Sequence, residues 1–294
     1  MNAYSVHYNL LYRKGKWVFR LNYEDRTAWI IKGHIGNKKV FTLPEKVKYG
    51  AEIFDIQYVE LYAFTNEKFV EEIHFPDSYI YIDEDGFVNC KNLRRIYLGG
   101  GIRYYHYWSF KKCPLEQIAI DAANPYLKMS DDGKCILSKD GTELVCMPLD
   151  ACSITVPDTV TELAVCSFTY TSLSKIRLPA SLRKIGSNAF MGNSCLLELH
   201  IPEGVHDCGI QTYYGNENLQ VLDLPSTLKT LEWEAIDGCS SLKCLILRCG
   251  NVVETEELGD DVPFATCTLC VPENLLNKYK MHPQWGKFKE MAAL

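Results

Sequence analysis

Cys267-x-x-Cys270, with Cys239, Cys244 and Cys249 upstream, has the spacing from which zinc sites are built, since paired thiolates can share a tetrahedral ion. The neighbouring residues argue against that chemistry. Leu269 and Val271 alternate as the core positions of a strand, so Cys267 faces in with them and Cys270, three residues on, faces out. The two can share an ion only if the segment is a loop. Cys90, Cys113 and Cys239 recur at one repeat position and behave as small buried hydrophobes. The thirteen cysteines are odd in number, so at least one thiol is unpaired within the chain. The seven histidines are scattered, and none adjoins a cysteine or serine in a motif for nucleophilic catalysis. Gly99-Gly100-Gly101 invites a phosphate, but no lysine follows it in a phosphate-loop pattern, and a turn accounts for it. No metal, cofactor or catalytic residue is predicted.

Binding is the chemistry the residues favour. In Tyr104-Tyr105-His106-Tyr107-Trp108, Tyr105 is a core position, but its four neighbours cannot all point inward. Aromatic side chains with polar tips suit interfaces and sugar-facing surfaces. The competing reading packs them on an insertion after Tyr49. Arg95 and Tyr97 lie on the strand just before, so one contiguous site is predicted from Arg95, Tyr97, Tyr104, His106, Tyr107 and Trp108, with a protein or a glycan as partner. A second set, Lys175, Arg177, Glu198, His200 and Asp223, lies at outward positions of later strands.

The elements that must position these residues follow a fixed period. Copies begin at Pro179, Pro202 and Pro225, and the last ends at Arg248, each 23 residues from the next. Such a period means stacked supersecondary units, each completing its core only against its neighbours. Within a copy, Leu-x-x-Ile-x-Leu-Pro makes a strand whose alternate residues face one core: Ile176 and Leu178, Leu199 and Ile201, Leu222 and Leu224, Leu245 and Leu247. Asp223, between two of them, faces solvent. The proline ends the strand. An Ala-Phe pair, as in Ala189-Phe190, is predicted to pack a short helical turn on the far side. Four residues after the alanine stands Cys or Asn (Cys90, Cys113, Asn193, Asn216, Cys239), able to bond backbone groups the turn leaves open.

The period extends back to Pro44, with nine extra residues placed as a loop around Tyr49 to Asp55. Residues 4–43, with Val6, Tyr8 and Leu10 alternating, a turn at Lys14-Gly15-Lys16 and apolar runs at 28–31 and 40–43, are predicted as a β cap. Residues 121–156 break the period with a hairpin between Asp132-Gly133 and Asp140-Gly141. Residues 273–294 are predicted helical, interrupted by Pro283. The organisation expected is an N-terminal cap at 1–43, repeats at 44–272 and a helical cap at 273–294, in one continuous domain.

Leu-Pro-Ala-Ser-Leu-Arg-Lys-Ile-Gly-Ser-Asn-Ala-Phe (178–190) and Ala235-Ile-Asp-Gly-Cys239-Ser-Ser-Leu242 resemble the consensus of the BspA-like leucine-rich repeat family of bacterial proteins. Asn124 to Gly141 resembles its hairpin-bearing repeat, and Val271-Pro272 to Tyr279, Trp285 and Phe288 its terminator. Gly99 and Arg248 stand where proline is usual, and Ile236 where phenylalanine is. The resemblance implies a β-rich α/β fold: a right-handed, horseshoe-like solenoid with a parallel sheet of short strands and helical turns opposite. It implies a surface or secreted protein that binds other proteins or a host, and no enzyme. A structural spacer or adhesin stalk is the alternative, and a thiol- or zinc-dependent enzyme a third reading.

The net charge of −6 argues against nucleic acid, which calls for a basic face. No apolar run approaches the ~20 residues of a membrane helix. No signal peptide is visible at Met1, which predicts the cytoplasm if Met1 is the native start. Neither oligomeric state nor the ligand's identity follows from the sequence.

Overall fold

The computed structural model describes residues 9–149 and 151–294. Val6 and Tyr8, expected in the first strand, lie outside the described residues. The chain forms two compact units, one reaching Met129 and the other Ser130–Leu294.

The first unit contains β1 (Asn9–Lys14), β2 (Trp17–Asn22), β3 (Thr27–Lys32), β4 (Val40–Thr42), β5 (Lys46–Tyr49), β6 (Glu52–Val59), β7 (Phe64–Thr65), β8 (Glu72–Phe75), β9 (Tyr81–Ile82), β10 (Phe87–Val88), β11 (Arg95–Leu98), β12 (Tyr104–Tyr105), β13 (Gln117–Ile120) and β14 (Leu127–Met129). β1, β2 and β3 run antiparallel, and β3 then pairs in parallel with β6, followed by β9 and β12. A second sheet stacks β4, β8, β11 and β13, all parallel. The nine extra residues are not a loop. They make the β5–β6 hairpin, turning at Gly50 with φ 60°. Val47 and Phe54 pair across it and are both buried, so the insertion brings its own core residues.

The second unit contains β15 (Ile136–Ser138), β16 (Glu143–Cys146), β17 (Ser153–Thr155), β18 (Glu162–Leu163), β19 (Lys175–Arg177), β20 (Lys184–Ile185), β21 (Glu198–His200), β22 (Asp207–Cys208), β23 (Val221–Leu224), β24 (Cys244–Leu247), β25 (Thr268–Val271), α1 (Leu276–Met281) and β26 (Glu290–Ala293). β15 and β16 form the hairpin expected at Asp140-Gly141. Asp140 caps that turn by accepting from the Thr142 N–H at 3.0 Å. β16, β18, β20 and β22 then stack in parallel. β17 pairs with β19, and β21, β23, β24, β25 and β26 form a five-stranded parallel sheet.

The side of the coil opposite the long strands is hydrogen-bonded turn rather than helix, against expectation. In most coils the residue before the Ala-Phe pair has a positive φ (Tyr62 59°, Asn188 58°, Gln211 52°, Glu234 50°), and so does the residue two after the aromatic (Asn66 58°, Gly192 70°, Gly215 68°, Gly238 71°). A left-handed residue on each flank interrupts the right-handed helical run. The backbone groups go to the next coil instead. Phe190 N–H donates to Thr212 O and Tyr213 N–H to Ala235 O, both at 2.9 Å. The coils of the second unit are therefore tied on three sides. One exception lies in the first unit, where Tyr107–Phe110 is a short 3-10 helix capped by His106.

Inside, aromatic rings pile along the stack. Phe64, Phe87 and Phe110 stack at 4.6 and 5.0 Å, and Phe168, Phe190 and Tyr213 at 5.5 and 6.0 Å. Beside the second pile, the buried Asn216 donates from Nδ2 to the Tyr213 and Phe190 carbonyls at 2.6 and 2.9 Å, and its Oδ1 accepts from Asn193 N–H at 2.8 Å. Cys239 occupies the same position one coil on and donates to Tyr213 O at 3.2 Å.

Gly99-Gly100-Gly101 is a turn pressed onto the preceding coil. A Cβ at Gly99 would sit 2.6 Å from the Phe75 carbonyl oxygen, and one at Gly101 would run into that of Asp77. Gly100 N–H donates to Asp77 Oδ1 at 2.6 Å.

Past Pro272 the chain is α-helical only over α1, with 3-10 turns at Glu273–Leu275 and Trp285–Lys287 on either side. It ends in β26, an added parallel strand, with Trp285 wholly buried and its Nε1 donating to Val253 O at 2.7 Å. Edge backbone groups of β25 are thereby paired rather than left open.

Candidate functional site

On the β4–β8–β11–β13 sheet, Ile73, Ile96 and Ile118 point into the core, so their neighbours point out. The outward residues form two rows, Glu72–Arg95–Gln117 and His74–Tyr97–Ala119. Glu72 ties them together. Its Oε1 lies 2.6 Å from His74 Nε2, and its Oε2 accepts from Arg95 Nε at 2.8 Å. Hydrogen bonds from His74 and then Arg95 hold the Glu72 carboxyl below the usual carboxylate range. The His74 and Tyr97 rings stack at 4.5 Å, 14° from parallel. A cavity of 330 Å³ opens beside them, with Asp77, Gly99 and Asp121 on its wall.

Tyr104 stands on a different sheet from Arg95 and Tyr97, in β12. It is 64% exposed, and its ring meets that of Tyr81 edge-on at 6.4 Å. His106 and Trp108 are half-buried and meet edge-on at 5.9 Å, with Lys111 Nζ 5.2 Å above the Trp108 ring. The side chain of Tyr107 lies outside the described residues. Of the predicted set, Arg95 and Tyr97 are adjacent, His106 and Trp108 are adjacent, and the sheets divide Tyr97 from Tyr104. The strand reading missed the residues that line up with Tyr104. Trp29, Tyr58, Tyr81 and Tyr104 share one register across β3, β6, β9 and β12, and Trp29 and Tyr58 stack at 4.7 Å. The signal was present, since 58, 81 and 104 are one period apart. Burial, with the Asp83 charge beside it, pushes the Tyr81 phenol up to about 12.

The second set is also divided. Lys175 and Arg177 belong to the β17–β19 pair and are exposed. Glu198, His200 and Asp223 lie on the five-stranded sheet. Asp223 was expected simply to face solvent. It is half-buried, accepts from Arg248 Nε and Nη2 at 2.8 and 2.9 Å, and lies 3.3 Å from His200 Nδ1. Burial alone would raise its pKa, but the Arg248 and His200 hydrogen bonds win and lower it.

Cys270, on β25, is half-buried, and Cys267, just before that strand and in step with Leu269 and Val271, is buried. The sulfur of Cys244, on the adjacent strand, lies 3.7 Å from that of Cys270. Burial pushes Cys135, Cys208, Cys239 and Cys267 up to about 12, so these sulfurs are thiols rather than thiolates at neutral pH. Among the described residues no three His, Cys, Asp or Glu side chains are grouped to hold a metal ion, and no helix is long and apolar enough to cross a membrane.

Short parallel strands recurring every coil, an apolar interior row and an outward polar row define a leucine-rich repeat solenoid. The BspA type leucine-rich repeat model matches residues 55–130 and 147–267 in six copies, and this chain belongs to that family. A leucine-rich repeat protein from Eubacterium ventriosum shares its fold, with 15% identity, 90% of this chain and 87% of that chain covered, and a TM-score of 0.52. The pneumococcal vaccine antigen PcpA is 18% identical over 98% of this chain and 99% of its own, with a TM-score of 0.45. A leucine-rich cell surface protein from Faecalibacterium prausnitzii is 17% identical over 97% and 95%, with a TM-score of 0.37. No curated protein matches the chain.

Proposed function

We propose that this chain is a non-enzymatic binding module for a protein or glycan partner, placed at the cell surface or secreted. One observation carries the reading: Glu72, His74, Arg95 and Tyr97 are held by one another on two adjacent strands before any partner arrives. Immobilising a free, rotamer-rich side chain on binding costs about 0.5–1.5 kcal/mol. Mutual hydrogen bonding and stacking reduce that cost here. Tyr and Arg are also the residue types on which interface energy concentrates. Tyr104, on the β3–β6–β9–β12 sheet, and His106 and Trp108 just after it offer further contact surface. Family membership supports the surface placement.

Screening the purified chain on a glycan array and against extracellular-matrix proteins tests the reading. Tyr97→Ala and Arg95→Ala are expected each to weaken the partner found by more than about 1 kcal/mol. Tyr104→Ala weakens it without changing the melting temperature, and Lys175→Ala with Arg177→Ala matters less. A loss spread evenly over all outward rows, or none, would favour a spacer or stalk. If Trp108→Ala mainly lowers the melting temperature, that ring is packing.

A further inference from the structure

A cavity of 640 Å³ lies between the β1–β2 hairpin, the end of β3 and the turn that precedes Phe64. Arg13, Lys16, Lys32 and His34 stand on its wall, in a chain whose net charge is −6. Arg13, Lys16 and Lys32 are exposed, and none of them makes an ion pair among the described residues. That sets them apart from Arg20, Arg26, Lys39 and Lys46 nearby, each of which has a carboxylate partner.

The one acid on the lining, Glu67, is 5% exposed and already engaged. It accepts from the Ile35 N–H at 3.1 Å and lies 2.9 Å from His34 Nδ1, so it holds the imidazole from behind. A buried carboxylate is costly unless it is bonded in this way. Its effect is to fix one polar group on the cavity wall. Part of the wall is apolar and open. Leu61 is 46% and Tyr62 56% exposed, large side chains that the core does not use. Tyr62 sits at the left-handed position that most coils repeat, so the backbone itself directs it outward.

From this arrangement we propose that the cavity binds an anionic saccharide, a sugar carrying a sulfate, phosphate or carboxylate group. Three cations with no ion pair among the described residues supply the charge complement, and a positive surface draws anions in. Tyr62 supplies a flat face for a pyranose ring with a hydroxyl at its tip. The volume lies within the ~300–1,000 Å³ of small-molecule sites. The site shares no lining residue with the cavity beside Tyr97, so either can fail without the other.

Isothermal titration of the whole chain decides it, with lactose bearing a sulfate, a phosphate or a carboxylate, lactose itself, and inorganic sulfate. At least one charged lactose is expected to bind at least about tenfold more tightly than lactose and than inorganic sulfate, and to weaken as salt is raised. Which of the three binds identifies the acid group. Lys16→Ala with Lys32→Ala lowers that affinity at least about tenfold with the melting temperature unchanged, whereas Lys278→Ala with Lys280→Ala, far along the sequence, does nothing. Arg13→Gln is the second variant should the double change disturb folding. Charged lactose binding no better than lactose, or binding indifferent to these substitutions, overturns the proposal. Inorganic sulfate binding as tightly as the sugars also overturns it, since the sugar ring then contributes nothing.

Discussion

Asn216→Ala probes how the coils are tied together, because one buried amide serves three backbone groups. Alanine leaves the Tyr213 and Phe190 carbonyls without the amide at 2.6 and 2.9 Å, and the Asn193 N–H without its acceptor at 2.8 Å. A buried N–H stripped of its partner costs about 1–3 kcal/mol. The carbonyls lose less. Phe190 O remains beside Asn193 Nδ2 at 2.8 Å, and Tyr213 O still receives the Cys239 thiol at 3.2 Å. The expected total is about 2–5 kcal/mol. Asn216→Cys installs the residue that Cys90, Cys113 and Cys239 place at this position. It keeps a donor toward Tyr213 O and loses only the acceptor for Asn193, so its cost should fall near the low end. Urea denaturation followed by the fluorescence of Trp233 and Trp285 gives the magnitudes. Because the chain has two compact units, the transitions are fitted separately. Amide exchange should accelerate first at Asn193 and in the adjoining coil. An alanine cost below about 1 kcal/mol, a cysteine variant worse than the alanine one, or exchange that rises far from Asn193 would refute the reasoning.

Leu222, wholly buried at the centre of the five-stranded sheet, should cost about 2–5 kcal/mol when changed to alanine, measured by denaturation. Asp223→Ala should cost no more than about 1 kcal/mol, since its ion pairs are partly screened by solvent. In the fold its carboxyl titrates below the ordinary aspartate value of 3.8, so its contribution is present above that pH and is lost as pH falls through the lower folded value. The gap between wild type and Asp223→Ala should therefore close in acid, and a gap that widens there would reverse the sign assigned to Arg248. Gly101→Ala should destabilise by about 1–3 kcal/mol or more, because its Cβ meets the Asp77 backbone. Gly100→Ala, whose nearest neighbour would be Asp77 Oδ1 at 3.4 Å, should cost under about 1 kcal/mol in the same thermal-melt comparison.

The interior of this protein was written in the sequence. A strand alternates its faces every residue, and a coil returns to the same place each period, so Leu199, Leu222 and Leu245 had to stack in one row and do. The same arithmetic placed the polar rung at Asn193 and Asn216, while Asp-Gly turn chemistry placed the hairpin at Asp140-Gly141. That arithmetic also reached Arg95 and Tyr97, whose outward positions follow from the inward ones. Run back from Tyr104, it would have reached Tyr81 and Tyr58.

Only the tertiary structure decided what lies off the period. Left-handed residues beside the Ala-Phe pair turned an expected helix into a ladder of turns, because their backbone groups found partners in the next coil rather than in their own. Asp223 acquired Arg248, 25 residues away, which follows directly on the strand stacked beside it. The segment after Pro283 became a strand because β25 offered it an open edge. The cavity ringed by Arg13, Lys16, Lys32 and His34 joins a hairpin that precedes the repeats to a turn within them. Periodicity reports which residues share a face within the stack. It carries no information about a charge cluster whose members come from segments that do not repeat.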